Sequence, residues 1–448
     1  MDEDFLLNKI WGVWTGKIAG GTFGQPVEGK EKEDIQDAKP PLAGWTPAHL
    51  SFINFPNDDE QYELVALLAL ENLNDEQLEQ KLKSNTLLSR EYLGTYWLEY
   101  LKRSYMFTAE EYAYKFVKRW KLPWRYAGDA LYIDPQDNKA YGNPYFDWIG
   151  AQMKGEIFGM LSPAWNWYLN QKNSPEQDLI LLKPCLDLSL QDALMAHRGV
   201  AVVGELFISA MIAVAIVHDP FNYQEETTYS NLTNDDLQKS RNKIKQVGIC
   251  SERIISDIKR IKQVLLKYEG IETSNVELYF SFIDPVIDYY EKDHNPVRWE
   301  ETWQKCSELW NAFEQEMIED AKKRYMDYPD LLKRRLKAIN FEVQGERRNI
   351  HTLFNNSAII IGLLYGDGDI TQAIRISTEC GEDTDCNAGN AGAIMGAYLG
   401  QNLIPTYLKR FIQDEIKPAI KKWKDKSIYN LSKRTVSQSL RIYNSYNH

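Results

Sequence analysis

Glycine recurs every fourth residue near the start of this chain, at Gly12, Gly16, Gly20 and Gly24, and again at Gly392, Gly396 and Gly400. Both runs lie in apolar segments. Residues four apart share one face of a helix, so each series is a stripe without side chains. A glycine in a helix interior costs ~1 kcal/mol relative to alanine. Close approach of another backbone offsets such a cost. The two helices are therefore expected in the middle of a bundle, near each other or against other helices.

The other long apolar segments, Tyr62 to Leu73, Val200 to Val217, Ser357 to Tyr365 and Ala388 to Leu399, repeat with the helical period, while alternating Val/Ile/Thr runs are scarce. These features predict an all-α fold. The longest apolar run, Gly199 to Val217, carries Glu205 and is borderline in length for a membrane span, so it reads as a buried core helix. The stretch from about Gln224 to Arg348 is more polar, with charged helices at Ile254 to Glu269 and Trp299 to Tyr325. It reads as a peripheral layer, which makes residues 1–448 a single domain. Lys417 to Arg441 reads as a basic, solvated face.

Lys and Arg total 52 against 64 Asp and Glu, a net charge of -12, and no basic patch is interleaved with aromatics. Such a chain repels phosphate backbones, which disfavours nucleic-acid partners. The five cysteines, an odd number without a Cys-x-x-Cys, fit a reducing compartment. The acidic start, Met1 to Asp4, is unlike a signal peptide and gives a cytoplasmic expectation. Nothing in the residues fixes an oligomeric state.

Two acidic clusters open buried helices. The first is Pro56, Asn57, Asp58, Asp59, Glu60 ahead of Tyr62 to Leu73. Capping alone would explain Asp and Asn there. A near copy at Thr233 to Asp236 leads a polar helix and reads as a plain cap. The second cluster, from Glu379 to Gly389, holds Glu382, Asp383 and Asp385 within four residues. One cap needs one acceptor. Like charges this close destabilise one another unless a cation offsets them. Two such clusters at buried helix starts predict a shared site for hard divalent ions, which take oxygen ligands.

The segment GEDTDCNAGNAGAIMGA resembles the C-terminal signature of the ADP-ribosylglycohydrolase family (dinitrogenase reductase-activating glycohydrolase-like), usually Gly-Gly-Asp-Thr-Asp-Thr-Asn-Ala. PNDDEQ resembles that family's Thr-Asp-Asp, and GVWTGKIAGGTFGQPVE its N-terminal helix and glycine turn. DWIGAQMKGEIFG and AHRGVAVVGELFISA match two middle segments more loosely. The resemblance implies an all-α orthogonal bundle with a two-magnesium centre in a central cleft, Mn²⁺ being an alternative ion. Carried over, Asn57, Asp58, Asp59, Asp383, Asp385 and Cys386 stand at the metal-ligand positions. Glu28 stands where the family has an acid beside the scissile glycosidic bond, with Asp58 as its catalytic companion. The departures are Asn57 and Cys386, each in place of Thr, and Gly21 in place of Asp. Sulfur is a poor partner for Mg²⁺. These changes mark a divergent subgroup.

Gln152, His197, Glu205, His351 and Asn387 are the expected substrate contacts. Structural alternatives stand beside several of them. His197 could be a core or capping histidine, Glu205 a carboxylate paired with a base, and His351 a helix cap. Asn387 also reads as orienting the acidic loop. Trp45, Tyr141 and Trp148 are candidates for stacking on a base or sugar. His49, His218 and His294 have no such neighbours and read as structural or exposed. The expected activity is metal-dependent hydrolysis of an N- or O-glycosidic bond of ADP-ribose or a related sugar adduct. Hydrolysis of a nucleoside-like or carbohydrate glycoside, and a non-catalytic binding scaffold, are the two competing readings. Retained acids argue against the scaffold, because clustered charge is a liability without a cation.

Overall fold

The computed structural model describes residues 3–37, 56–162, 174–218, 249–293, 298–343 and 346–446. Trp45, His49, His294 and the acidic copy at Thr233 to Asp236 lie outside the described residues. The helices run in chain order as α1 Glu3–Gly24, α2 Lys32–Asp37, α3 Asp58–Glu71, α4 Asp75–Lys83, α5 Arg90–Tyr100, α6 Thr108–Lys118, α7 Glu156–Leu161, α8 Pro175–Ala193, α9 Val200–Ile216 and α10 Ile249–Lys267. They continue as α11 Thr273–Phe280, α12 Asp284–Asp293, α13 Trp299–Arg324, α14 Pro329–Ile339, α15 Thr352–Tyr365, α16 Ile370–Glu379, α17 Thr384–Leu403, α18 Thr406–Ile412 and α19 Ile428–Tyr446. The strands among the described residues form two small antiparallel hairpins. In one, β1 Tyr132–Ile133 pairs with β2 Ala140–Tyr141. In the other, β3 Glu342–Val343 pairs with β4 Glu346–Arg347. The fold is all-α, as the periodicity predicts.

The two glycine stripes face each other. A Cβ on Gly12 would meet the Gly396 carbonyl, one on Gly16 the Gly392 carbonyl, one on Gly20 the Ala388 carbonyl and one on Gly24 the Thr384 carbonyl, each closer than 3.0 Å. The pairs step four residues along each helix in opposite directions, so α1 and α17 are antiparallel and in backbone contact. This contact decides where the chemistry sits. It holds the C-terminal end of α1, which leads into Glu28, against the N-terminal end of α17, which begins at the second acidic cluster.

Around this pair, α9 packs on α7, α8 and α17, and α15 and α16 pack on α17. Every residue of α9 is buried, so the longest apolar run is a core helix as expected. No helix among the described residues is long and apolar enough to cross a membrane. The charged helix α13 covers α15 from outside.

The C-terminal stretch corrects one expectation. Lys417 to Arg441 is more than a solvated face. Within α19, Ile428, Leu431, Thr435, Val436, Ser439 and Ile442 are buried, and Trp14 Nε1 donates to Thr435 Oγ1 at 3.2 Å. The basic residues recur at the helical period on the other side of the same helix. There Arg434 donates to both Glu71 oxygens and Arg441 pairs with Asp75.

A buried ion cluster ties α14 to the start of α15. Arg335 donates through both terminal nitrogens to Asp147, one contact measuring 2.8 Å, and His351 Nε2 lies 3.4 Å from the same carboxylate. Burial alone would raise the Asp147 carboxyl; the Arg335 guanidinium and then His351 outweigh it and hold the group well below its usual value. A depressed acid contributes stability above its unfolded value, near 3.9, and loses it as pH falls through the folded value. Arg335→Met leaves Asp147 buried beside His351 alone. It should cost about 3–5 kcal/mol and move the acid-unfolding midpoint to higher pH. Urea titrations across pH check both; an unchanged midpoint contradicts the cluster's role.

Candidate active site

The first acidic turn belongs to α3. Asn57 caps it, its Oδ1 accepting from the Asp59 amide at 3.0 Å. Asp58 and Asp59 are thus released from capping. The second belongs to α17. Asp383 occupies the cap position but makes no side-chain cap bond. The capping explanation therefore accounts for Asn57 and leaves the carboxylates of Asp58, Asp59, Asp383 and Asp385 unexplained by helix geometry.

The two turns meet. Asn57 Nδ2 donates to Asp385 Oδ2 at 3.2 Å, and the Cys386 thiol donates to Asp59 Oδ1 at 3.4 Å. Ligand atoms of Asp383, Asp385 and Cys386 lie within 4.8 Å of one another. Asp385 Oδ1 is buried and has no hydrogen-bond partner. Gly21 takes part by omission, since a Cβ there would stand 3.0 Å from Asn57 Nδ2. An aspartate at that position would crowd the amide that bridges the two turns, so the departures at positions 21 and 57 are physically linked.

Glu28 follows the short 3₁₀ turn after α1. Its side chain is exposed to solvent. The strip it belongs to is pinned to the acidic loop: Gly29 N–H donates to the Glu382 carbonyl at 2.6 Å and Glu382 N–H to the Lys30 carbonyl at 2.7 Å. Gly381 makes this possible, with φ +89 and no room for a Cβ against the Lys30 carbonyl.

The electrostatics follow from this crowding. Burial pushes Asp58 up to about 6. Burial, then Asp385 and Asp58, hold Asp59 well above the usual range. Burial, then Glu28, push Asp383 up to about 7. Burial, then Asp383 and Asp58, hold Asp385 well above the usual range. The Asp385 carboxylate, then burial and Asp58, push Glu28 up to about 8 against the pull of Arg348. Five acids thus resist ionising together in the absence of a cation. Their donor chemistry, oxygen-rich with an unpartnered buried oxygen, fits a hard divalent ion.

Cys386 fits differently. Burial, then Asp383 and Asp59, hold its thiol well above the usual range. A protonated thiol donating to Asp59 does the hydrogen-bonding work of a hydroxyl, which explains how sulfur stands in for Thr here. Asn387 is fully buried; its Nδ2 donates to Asn355 Oδ1 at 2.8 Å, and Asn355 Oδ1 also accepts from the Asp383 amide at 3.1 Å. It braces the acidic loop from behind.

The remaining residues singled out in the sequence have these surroundings. His351 caps α15, with Nδ1 accepting from Leu353 N–H at 3.2 Å. Trp148 is buried and bridges to His351, and half-buried Tyr141 lies in β2. His218 stacks edge-on against Tyr398. Gln152, His197 and Glu205 are wholly buried; Gln152 Oε1 accepts from the Tyr279 hydroxyl at 3.1 Å, and His197 and Glu205 lie within electrostatic reach of the charged Lys154 ammonium. Lys154 Nζ lies 2.8 Å from Asp192, His197 Nε2 lies 3.6 Å from Glu110, and Glu205 accepts from Ser189 at 3.4 Å.

Two residues escaped sequence reasoning. Lys17 sits fully buried in α1, 2.9 Å from Glu156 and 3.1 Å from Glu63. Burial would lower it, but Glu156, Glu63 and then Asp59 outweigh that and keep it charged. It is the cation beneath the first acidic turn. A lone lysine inside a glycine-striped helix was the available signal, of the same kind as Glu205 in α9. Arg348, beside Glu28, gave no signal.

A sequence profile of the ADP-ribosylglycohydrolase family matches residues 2–438. No curated protein matches the chain. A solved structure described as an "ADP-ribosylglycohydrolase-related protein complex" is similar over 99% of this chain and 99% of its own, at 15% identity and a TM-score of 0.44. With the profile spanning nearly the whole length, the chain belongs to the ADP-ribosylglycohydrolase family.

Proposed function

We propose that this protein is a metal-dependent glycohydrolase that cleaves an N- or O-glycosidic bond of ADP-ribose or a closely related ribosyl adduct. The observation that carries this reading is the convergence of two acidic helix starts on one another, with Glu28 alongside and an unpartnered oxygen on Asp385.

In this reading Asp58, Asp59, Asp383 and Asp385 would hold Mg²⁺ or Mn²⁺, two ions in the arrangement the family resemblance implies. A bound divalent ion supplies a polarised water and a template for the sugar hydroxyls. Asn57 and Cys386 keep the two acidic turns together through their hydrogen bonds to Asp385 and Asp59. Glu28 is the group that exchanges a proton with the attacking water or the leaving group. A direct division of labour between Glu28 and Asp58, as in two-carboxylate glycosidases, is the alternative arrangement of the same residues.

Glu28→Gln keeps the size and hydrogen-bonding capacity of the side chain but cannot carry the proton. Turnover of ADP-ribosylated protein should fall roughly 10²–10⁴-fold, with thermal stability and metal content unchanged. Release of free ADP-ribose from wild type and variant, followed chromatographically with and without Mg²⁺, tests the reading. Near-normal turnover by Glu28→Gln removes Glu28 from the mechanism. No ADP-ribose release by wild type in the presence of Mg²⁺ contradicts the proposed reaction.

A further inference from the structure

A cavity of about 370 Å³ lies between the middle of α1, the C-terminal end of α17 and α18. It is remote from the acidic turns: from Asp385 to Gln401 is roughly 24 Å of helix. Helix α17 breaks just before it, at Gly400, where φ is +69. Gln413 and Asp414, both lining the cavity, hold φ of +56 and +54. Such backbone is costly for residues other than glycine and gathers at binding sites. Thr15 and Gln401 line the same cavity and are only 2% and 7% exposed. Thr15 Oγ1, Gln401 Oε1 and the Nε1 of Trp11 are all buried without a hydrogen-bond partner. Buried polar atoms are nearly always paired. Three exceptions on the lining of one cavity call for a partner that the chain does not supply.

The lining defines the chemistry of that partner. The indole N–H only donates, the amide oxygen only accepts, and the hydroxyl does either. A hydroxyl group on a ligand offers a donor and an acceptor together. Ile412, Ile428 and the Trp11 ring, which packs on Tyr429 at 4.8 Å between centroids, give the cavity apolar sides. The charge at the site is positive, in a chain of net charge -12. Lys409 and Arg410 line it together with one carboxylate, Asp414. That carboxylate is occupied, accepting from Ser427 Oγ at 2.7 Å and the Tyr429 amide at 2.9 Å. Lys409 Nζ donates to the Gln401 carbonyl at 3.1 Å. Among the described residues, no hydrogen bond or ion pair engages the side chain of Arg410, which is exposed.

We propose that this cavity is a second ligand site, separate from the acidic centre, for a small organic anion that carries a hydroxyl group on an apolar body. The hydroxyl exchanges hydrogen bonds with Trp11, Thr15 and Gln401, and the anionic end meets Arg410.

The probes are 4-hydroxybenzoate and its uncharged counterpart, 4-hydroxybenzyl alcohol. Binding to the full chain is measured by NMR titration in EDTA, which keeps the carboxylate from binding through a metal ion at the acidic centre. Wild type is expected to bind the acid more tightly than the alcohol. Thr15→Val keeps the shape of the side chain and removes the hydroxyl. It should weaken both probes about 3- to 10-fold, the range of one hydrogen bond. Because it also removes an unpaired buried group, it should melt no lower than wild type without ligand. Arg410→Met should weaken the acid about two- to fivefold and leave the alcohol unchanged. Crystals of the full chain soaked in the acid should show it in the cavity, in hydrogen-bond contact with Thr15. Wild type that binds neither probe overturns the proposal, as does a soaked crystal with only ordered water in the cavity. Binding unchanged by both substitutions places the probes elsewhere and overturns it too. None of these outcomes touches the glycohydrolase reading.

Discussion

Gly16→Val should leave the protein without its native fold. The Cβ of the new side chain would enter the carbonyl of Gly392, and the neighbouring atoms closest to it are backbone atoms of α17. Backbone in the centre of a bundle has nowhere to move, so the two helices must separate. Overpacking a core with side chains that can yield costs typically about 1–3 kcal/mol; here the obstruction is a helix axis. Separation also uncovers the apolar residues flanking the stripe, Val13, Ile18, Ala393 and Ile394, all buried in the native protein. Natural domains have only about 5–15 kcal/mol of stability. The expected result is insoluble or unfolded protein, read by circular dichroism and size exclusion. A valine at Gly21, where the nearest neighbour is the Asn57 side chain rather than backbone, should fold and disturb only the acidic turns. Equal tolerance at both positions would contradict the account of the stripe.

Asp385→Asn should cut activity sharply and blunt the protein's stabilisation by metal. Asp385 is close to the centre of the acidic group: it accepts from Asn57, raises Glu28 and Asp59, and has one oxygen without a partner. Stabilisation of charge by a bound ion is worth several kcal/mol in a hydrolytic transition state, so its loss corresponds to a rate decrease on the order of 10³-fold. The sign of the stability change depends on conditions. Without divalent ions the variant removes a like charge from a buried cluster and should melt at or above the wild-type temperature. With Mg²⁺ or Mn²⁺ the wild type should gain about 2.7 kcal/mol at 100 times the dissociation constant, and the variant much less. Melting curves in EDTA and in saturating metal would show the two orders crossing. A wild type that is indifferent to both ions contradicts the site.

The fold was legible in the sequence because its determinants are periodic. The glycine stripes, the 3.6-residue apolar repeats and the scarcity of strand patterns all act locally, and they mark segments that nearly coincide with α9 and lie inside α1, α15 and α17. α19 was misread because a basic face is conspicuous while the apolar face beneath it, Ile428, Leu431, Val436 and Ile442, is spread over the same residues. The acidic turns stood out because three acids before a buried helix exceed what a cap requires. What a sequence cannot carry is the direction of a side chain. Glu205, His197 and Gln152 sit on or beside a helix that is buried all round, so no periodicity tells the cleft from the core. Arg348 lies in a stretch where Arg347 precedes it and looks identical; only packing leaves one paired with Glu314 and the other open.

The central claim is that two acidic helix starts, brought together by antiparallel glycine-striped helices, form a divalent metal site. Metal stoichiometry of the purified chain tests it most directly. After exhaustive EDTA treatment and re-equilibration with Mg²⁺ or Mn²⁺, elemental analysis should find about two ions per chain in wild type, as the family resemblance implies, and none in the Asp383→Ala, Asp385→Ala double variant. Wild type that takes up no divalent ion under these conditions would contradict the account.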